Sequence, residues 1–429
     1  MYIYYLSIGS NIGNIKHNIN ICIDKISNVE GIKLLKVAPY YFTEPLLPQD
    51  ADESYFKIYC NTCIKIETNI EPFDLLKITQ QIETKLGREK EHKHWSPRVI
   101  DIDIIYCEKD GKQVSISSEK LTIPHKELFN RAFVINPLSY LNSGLIINGR
   151  NVLMEGKKHK DHQAVKMGIV NITHNSFTGD GLLANNDKNL KKIKRKIKNF
   201  LDDAVAIIDI GCEATNPNAE YLTYQEEIER LKPVIEIINE LRGKKEYKYS
   251  TRFSIDTYHP ETAEFCIQNG FVIINDVNGF KDERMWKLMQ KYSKIEAVIM
   301  HSLTPHADKN IVLDKNCNVI DVLNKWVDEI EELAKKYNIS SDRIIVDYGI
   351  GFGKTAFQSW QILKNVDKIN NHFFRVLIGH SKKSFMSLFD FKGEKIGNIA
   401  KKRELKTIEL SIELEKKGVD ILRVHNVKY

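Results

Sequence analysis

The chain has 429 residues, of which 42% are hydrophobic, and this length favours two or perhaps three globular domains over a single core. No apolar run is long enough to cross a bilayer and the first residues lack the basic start of a signal peptide, so we expect a soluble cytoplasmic protein without a membrane partner. The net charge of +6 is modest for this length and would suit anionic small substrates as readily as nucleic acid, so charge alone decides nothing. From the chain as a whole we expect small-molecule substrates and no nucleic-acid partner. Seven dispersed cysteines argue against a disulfide framework.

The first third of the chain has the pattern of a small α+β domain. The predicted elements, in order, are a strand over 2–9, a helix after the turn at 9–13, strands around 33–43 and 55–67, a helix over 71–86, and a strand beginning near 100. This β-α-β-β-α-β order predicts a ferredoxin-like domain, with helices packed on one side of an antiparallel sheet.

The last of these strands carries two carboxylates. Isoleucines alternate with Asp101 and Asp103, so on a strand both carboxylates project from one face, about 6.6–7 Å apart. Two such groups can hold a pair of Mg²⁺ ions, and Arg98 before the strand offers a fork for phosphate oxygens. The alternative is an edge strand whose outer face is merely solvated. The surrounding residues favour a nucleotide-phosphate site.

Three flanking segments support that interpretation: Gln80–Arg88, Leu121–His125 and Asn130–Val134. With them, residues 1 to about 140 resemble hydroxymethyl-dihydropterin pyrophosphokinase, a family that transfers a diphosphate from ATP to a pterin alcohol. The resemblance implies that Arg88, Arg98, Asp101 and Asp103 are catalytic, with two Mg²⁺ ions on the aspartates. It further implies ATP contacts from Arg88, Trp95, Arg98, His125 and Arg131.

The same resemblance implies a pterin pocket in this domain. Its residues would be Thr43, Pro45, Leu46, Tyr59, Asn61, Trp95 and Phe133, with Tyr59 and Phe133 on the two faces of the ring. The polar, proline-marked stretch 43–54 would be a mobile loop that closes over ATP and pterin.

A second domain follows a polar stretch. We interpret 143–164 as a linker between a domain of residues 1–142 and one of residues 165–429. Beyond it, eight short apolar runs alternate with helical segments, the number that closes a (β/α)₈ TIM barrel. The runs are Met167–Asn171, Val205–Asp209, Phe253–Asp256, Val272–Asn275, Ala297–His301, Ile344–Asp347, Val376–Gly379 and Ile421–His425. Polar residues at the strand ends should converge at the barrel mouth, namely Asn171, Asp256, Asn275, His301, Asp347 and His425.

The segments at those ends are Gly168–Thr173, Asp209–Thr215, Ser254–Thr257, Ile274–Val277, Asp347–Lys354, Ser381–Ser384 and Arg423–His425. They resemble dihydropteroate synthase from about residue 165 onward. The resemblance implies pterin contacts from Asp256, Asn275, Asp347, Phe352 and Lys383, of which Lys383 would be catalytic. It implies diphosphate contacts from Asn171, Arg423 and His425, with Asn171 also holding one Mg²⁺, and p-aminobenzoate contacts from Thr215, Pro217 and Ser384.

Several positions depart from the usual text of that family: His174, Asn175, Asn216, Tyr348 and Asn426. The sequence as a whole predicts a bifunctional transferase of folate biosynthesis, which makes a pterin diphosphate from ATP and condenses it with p-aminobenzoate, and which could dimerise through its barrel. Two alternatives stay open at this point. The barrel could be a pterin-binding methyltransferase, or it could be a non-catalytic pterin-binding domain fused to an active kinase.

Overall fold

The chain divides into two units, each with its own core. The computed structural model describes residues 1–45, 47, 52–88, 96–173, 187–213, 221–249, 251–308, 310–389 and 396–428, apart from the side chains of 384, 387, 396–398 and 400. Unit 1 comprises Met1–Asp161 with 244–250, and unit 2 comprises His162–Gly243 with Thr251–Tyr429. Within these ranges, no helix combines the length and the apolar character that a bilayer crossing requires.

Unit 1 is built on an antiparallel sheet. Its strands are β1 (Tyr2–Ser10), β2 (Ile32–Val37), β3 (Tyr41–Thr43), β4 (Tyr59–Thr68), β5 (Asp101–Lys109), β6 (Lys112–Gln113), β7 (Ile116–Ser117), β8 (Thr122–Ile123), β9 (Ile146–Ile147) and β10 (Arg150–Asn151). Its helices are α1 (Ile15–Ser27), α2 (Pro72–Lys85), α3 (Ala132–Leu141) and α4 (Val152–Lys158). The main sheet has the order β2-β4-β1-β5-β6, with β3 also paired to β4.

The strand β1 forms the centre of this sheet because it pairs antiparallel with both β4 and β5. Its residues Tyr4, Leu6 and Ile8 are fully buried. The helix α1 buries Ile19, Ile23 and Ile26, as the apolar spacing predicts. The ferredoxin-like arrangement is thereby confirmed. The strand predicted over 33–43 is divided into β2 and β3, and Pro39, which lacks an N–H donor for the ladder, lies between them.

The stretch predicted as a linker contains ordered elements of unit 1. Strands β9 and β10 form a hairpin whose turn residues Asn148 and Gly149 both have positive φ, as a tight two-residue turn requires. Asn151 then caps α4 by accepting a hydrogen bond from the Met154 backbone N–H at 3.0 Å, and Leu153 is buried. Asn148, Gly149 and Asn151, which suggest a connector in the sequence, are therefore turn and cap residues.

Unit 2 is a closed barrel of eight parallel strands. They are β11 (Val165–Asn171), β12 (Ile207–Gly211), β13 (Arg252–Asp256), β14 (Ile273–Asp276), β15 (Glu296–Met300), β16 (Ile344–Asp347), β17 (Arg375–Ile378) and β18 (Ile421–Val424). The helices between them are α5 (Asp187–Asp202), α6 (Tyr224–Arg242), α7 (Pro260–Gln268), α8 (Glu283–Lys291), α9 (Val319–Lys336), α10 (Ala356–Lys364) and α11 (Ile396–Lys416). All eight predicted apolar runs overlap these strands, and β18 closes the ring by pairing with β11.

The barrel interior changes character along the strand axis. Its middle is filled by apolar side chains, among them Met167, Ile207 and Val298. At the amino-terminal ends of the strands, Glu296 is buried between Arg252 and Arg375. At the carboxyl-terminal ends the side chains are again polar, and this is the end at which barrel enzymes place their active sites.

Candidate active sites

The first candidate site in unit 1 is centred on Asp101, the first residue of β5. Its carboxylate pairs with two arginines: Arg88 Nη1 lies 2.6 Å from Oδ1, and Arg98 Nη1 lies 2.6 Å from Oδ2. Arg88 follows the end of α2, and the backbone N–H of Arg98 is held by the Asn11 side chain at 2.6 Å. The fold thus brings together three of the predicted catalytic residues by direct contact.

A further residue of this site, Glu83 on α2, escaped the sequence interpretation. Its Oε1 accepts a hydrogen bond from the Ile102 backbone N–H at 2.8 Å and also pairs with Arg88. Glu83 therefore ties the end of α2 to β5 between the two aspartates. Burial raises the pKa of Glu83 to about 7, against the opposing effect of Arg88. The one hint in the sequence was a carboxylate on the buried face of α2, which a sequence alone does not distinguish from a surface charge.

The second aspartate, Asp103, lies two residues further along the same face of β5. Burial, reinforced by the neighbouring Asp101 charge, raises the pKa of Asp103 to about 6, and Arg131, Arg88 and Arg98 oppose this shift. His125 follows β8, and its backbone N–H donates to Ile105 O on β5 at 2.9 Å. Burial and the charge of Arg131 lower the pKa of His125. Arg131 therefore lies close enough to Asp103, and His125 close enough to Asp101, for their charges to interact.

Most of the predicted pterin residues of unit 1 lie on β3, on β4 or at the start of α3. Thr43 and Tyr59 are partners in the pairing of β3 with β4, and Asn61 Nδ2 donates to Thr43 Oγ1 at 3.3 Å. Phe133, at the start of α3, lies with its ring centroid 5.8 Å from the Arg131 guanidinium. Pro45 is half-buried. Leu46 and Trp95 lie outside the described residues, as do residues 48–51 of the predicted loop 43–54.

In unit 2, a pocket opens at the carboxyl-terminal ends of the barrel strands. Its lining consists of Asp256, Asn275, Val277, Met300, Asp347, Ile350, Phe352, Gly379, Lys383 and Arg423. All five predicted pterin residues and one predicted diphosphate residue are in this set. The apolar members Val277, Met300 and Ile350 were missed, because an apolar residue next to a strand end has the sequence signature of ordinary core.

Opposite charges are concentrated in this pocket. Arg423 Nη2 lies 2.6 Å from Asp256 Oδ2. Burial raises the pKa of Asp256 to about 7, with Arg423 and Lys383 opposing the shift and Asp209 adding to it. Burial and the nearby Arg423 charge lower the pKa of Lys383 to about 8. The ammonium of Lys383 lies 4.3 Å from the centroid of the Phe352 ring, so a cation and an aromatic face border the same space.

The loop after β16 shapes one wall of the pocket. The Gly349 backbone N–H donates to Asp347 Oδ1 at 2.8 Å. Beneath the loop, the Lys354 ammonium donates to His301 Nδ1 at 2.8 Å, Phe352 O at 3.0 Å and Gly349 O at 3.1 Å. Burial lowers the pKa of Lys354 to about 7, and burial beside Lys354 lowers that of His301 to about 3. His301 therefore supports the loop from behind and is not among the residues that line the pocket.

Other predicted residues lie at strand ends without lining this pocket in the described part of the chain. Asn171 ends β11 and is half-buried. His425 follows β18, with its Nδ1 3.1 Å from Ser381 Oγ. Thr215, Pro217, the side chain of Ser384, and the unusual residues His174, Asn175 and Asn216 lie outside the description. Of the other two departures, Tyr348 is fully buried and Asn426 donates to Glu404 Oε1 at 2.6 Å.

Two family models match the chain, one for each unit. The model for 7,8-dihydro-6-hydroxymethylpterin-pyrophosphokinase matches residues 5–143, and the model for pterin binding enzymes matches residues 167–425. The folate synthesis bifunctional protein of Chlamydia muridarum is 32% identical over 448 residues, which cover 99% of this chain and 95% of that protein. The chain belongs to this bifunctional folate-synthesis family. A folate synthesis bifunctional protein of Arabidopsis thaliana is 30% identical, with 99% and 93% coverage.

Solved structures agree with this membership. The dihydropteroate synthase of Clostridium difficile, solved in the presence of pteroic acid, is 27% identical with a TM-score of 0.51, and the match covers 63% of this chain and 94% of that one. The Plasmodium falciparum HPPK-DHPS, solved with pterin and p-hydroxybenzoate, shares the fold over 99% of this chain and 95% of its own, with a TM-score of 0.53 at 17% identity.

These matches fix the activity class. The protein is a bifunctional transferase of folate biosynthesis that joins a pterin pyrophosphokinase to a dihydropteroate synthase. A methyltransferase-like or non-catalytic barrel is not favoured.

Proposed function

We propose that the surface around Asp101 and Asp103 binds ATP with Mg²⁺, and that the barrel pocket binds the pterin diphosphate. The observation that carries this assignment is the placement of charge. In unit 1, Arg88 and Arg98 pair with Asp101, and together with Arg131 they oppose the rise in the pKa of Asp103. In unit 2, Arg423 and Lys383 oppose the rise in the pKa values of Asp256 and Asp347. Each site offers both cations for phosphate oxygens and carboxylates for metal or for ring N–H groups.

The donor chemistry at β5 fits Mg²⁺, which both families use. Two carboxylates on one strand face are hard oxygen ligands, and burial together with the neighbouring charge of Asp101 raises the pKa of Asp103. The described residues contain no group of three or more acidic, histidine or cysteine side chains arranged for a metal, so phosphate oxygens and water would complete the coordination. When bound between Asp101 and Asp103, Mg²⁺ would neutralise charge on the triphosphate. We propose two ions here and one at Asn171 in the barrel.

In the kinase reaction, the protein's task is to position the substrates and neutralise charge. We assign Arg88, Arg98, His125 and Arg131 to the phosphates, and Thr43, Tyr59, Asn61 and Phe133 to the pterin. The pterin hydroxyl oxygen forms a bond to the β-phosphorus while the bond from that phosphorus to the α-phosphate oxygen breaks, so AMP leaves. No side-chain nucleophile is needed for this transfer.

In the synthase reaction, the amine of p-aminobenzoate forms a C–N bond to the pterin methylene while the C–O bond to diphosphate breaks. Positive charge develops on the methylene, and the carboxylates of Asp256 and Asp347, which both line the pocket, would stabilise it through the ring. Arg423 would receive the leaving diphosphate, and Lys383 would hold the ring against Phe352. We retain Asn171 and His425 as diphosphate contacts, and Thr215, Pro217 and Ser384 as p-aminobenzoate contacts, on the family resemblance. A homodimer through the barrel stays a prediction for light scattering to test.

Half-reaction assays on two variants test these assignments. We expect Asp103→Asn to abolish ATP-dependent formation of the pterin diphosphate and to leave the synthase reaction intact, and Lys383→Met to do the reverse, because the two sites lie in separate units. Asp110→Asn is the matched control, since this carboxylate is exposed at the end of the same β5 hairpin. Loss of both activities in either variant, or of neither, would contradict the assignment.

A further inference from the structure

The carboxylate of Asp209 on β12 is fully buried next to the barrel pocket without lining it. Its Oδ2 accepts hydrogen bonds from two lining residues: Asn275 Nδ2 at 3.0 Å and Arg423 Nε at 2.7 Å. The second oxygen, Oδ1, has no hydrogen-bond partner among the described residues. The contacts of Asp209 are therefore concentrated on two groups that face the substrate space.

The hydrogen bonds of Asp209 determine how its neighbours are oriented. Its Oδ2 accepts from both Arg423 Nε and Asn275 Nδ2. The Asn275 side chain must therefore present its NH₂ group to Asp209. Since the amide is planar, its oxygen is turned away from Asp209, and Asn275 is a residue of the pocket wall. The pocket consequently receives the amide oxygen of Asn275 as an acceptor.

The orientation of Arg423 follows from the same contacts. Its Nε and Nη2 are both held by carboxylates, Asp209 on one side and Asp256 on the other. A guanidinium is planar, so two fixed nitrogens determine the plane and direction of the whole group. An arginine held in this way loses little side-chain entropy when it meets an anion.

We propose that Asp209 is a positioning residue for the synthase reaction, which turns the amide oxygen of Asn275 toward the pocket and holds Arg423 in place. The pocket thereby selects a ring that presents an N–H donor to Asn275, as the dihydropterin does, over one that presents an acceptor. This inference rests on the proposed pterin role of Asn275.

Exchanging the carboxylate and the amide between positions 209 and 275 tests the proposal. In Asp209→Asn the new amide can donate as well as accept, so the orientation of Asn275 is no longer fixed. We expect the KM for pterin diphosphate to rise roughly 10- to 100-fold, with the KM for p-aminobenzoate unchanged. Asn275→Asp places two carboxylates together and should be at least as impaired. In the double variant, the amide introduced at position 209 can donate to the carboxylate introduced at position 275, which again offers an acceptor to the pocket. We expect its KM for pterin diphosphate to be about tenfold below that of Asp209→Asn.

Two further variants separate the possible outcomes. Ser254→Ala is the matched control. Ser254 is buried, is the pairing partner of Asp209 between β12 and β13, and has a hydroxyl without a hydrogen-bond partner in the described residues. This variant should have the wild-type KM for both substrates. Asn275→Ala tests the underlying assignment: an unchanged KM for pterin diphosphate would overturn the pterin role itself. Suppose that Asn275→Ala raises that KM but Asp209→Asn does not, or that the KM of the double variant is no lower than that of Asp209→Asn. The positioning role of Asp209 is then overturned, while the pterin role of Asn275 stands. Calorimetric titration with pterin diphosphate should rank the folded variants in the same order.

Discussion

Replacing Glu296 by glutamine should destabilise the barrel strongly without altering its catalytic site. Glu296 begins β15 with its side chain only 3% exposed, and its carboxylate receives Arg252 Nη1 at 2.6 Å, Arg252 Nη2 at 3.0 Å and Arg375 Nη2 at 2.7 Å. Glutamine has nearly the same size, so no cavity forms. The negative charge is lost, however, and the buried ion pairs that Glu296 makes with Arg252 and with Arg375, itself 1% exposed, are broken.

The expected cost follows from that geometry. Removing one partner of a buried ion pair typically costs about 3–5 kcal/mol, since the remaining charge stays desolvated. For a domain of this size each kcal/mol lowers Tm by roughly 2–4 °C, so the barrel transition should fall by roughly 6–20 °C. Calorimetry measures the shift. Synthase kinetics well below Tm should be unchanged, because Glu296 lies at the opposite end of β15 from Met300, which lines the pocket.

Two comparisons sharpen this test. Glu329→Gln removes an exposed carboxylate from α9 and should change the free energy of unfolding by less than about 0.5 kcal/mol. Adding Arg375→Met to Glu296→Gln also removes one of the two cations that paired with Glu296, so the double variant should be more stable than the sum of the two single effects predicts. A Glu296→Gln protein with the Tm of the wild type would show that the three side chains do not form a buried ionic network.

Three other predictions follow from particular residues. Gly349→Ala should raise the KM for pterin diphosphate and lower Tm, because Gly349 has φ +63° and an added Cβ would lie 2.0 Å from His301 O. The control Gly243→Ala should leave both values unchanged, because its added Cβ would have no neighbour nearer than 3.5 Å. A fragment ending at residue 161 should have a higher urea midpoint than one ending at 142, because the longer one keeps the buried Leu153 and its helix; equal midpoints would contradict this. From the sequence alone, Asn216→Arg should lower the KM of the synthase reaction, because the resemblance implies an arginine after Thr215 and a guanidinium can neutralise an anion. An unchanged KM would contradict the p-aminobenzoate contacts proposed for Thr215 and Pro217.

The parts of the fold that were predictable are those whose pattern is local. The runs that became β11 to β18 are short and apolar because a parallel strand is covered on both faces, and the pleat puts Asp101 and Asp103 on one face of β5. Turn chemistry is less specific. The residues Asn148 and Gly149 form a hairpin turn, although the same pair is equally at home in a connecting segment.

Contacts between distant residues were not predictable in this way. Glu83 reaches the backbone between the two aspartates, and Lys354 supports the loop carrying Phe352 from behind. Asp209 stood at the end of a predicted strand, but its contact with Arg423 joins residues 214 positions apart. A sequence shows which side chains are available at each strand end, while the pairing among them depends on how the barrel closes.

The most direct test of the account supplies the purified protein with substrates in two separate mixtures. The first contains ATP, Mg²⁺, hydroxymethyl-dihydropterin and p-aminobenzoate, and we predict dihydropteroate and AMP in equal amounts. The second contains ready-made pterin diphosphate and p-aminobenzoate without ATP, and we predict dihydropteroate there as well, because the barrel site acts on the diphosphate itself. Formation of pterin diphosphate and AMP in the first mixture with no dihydropteroate in either would contradict the account, since the barrel would then bind pterin without catalysing its condensation.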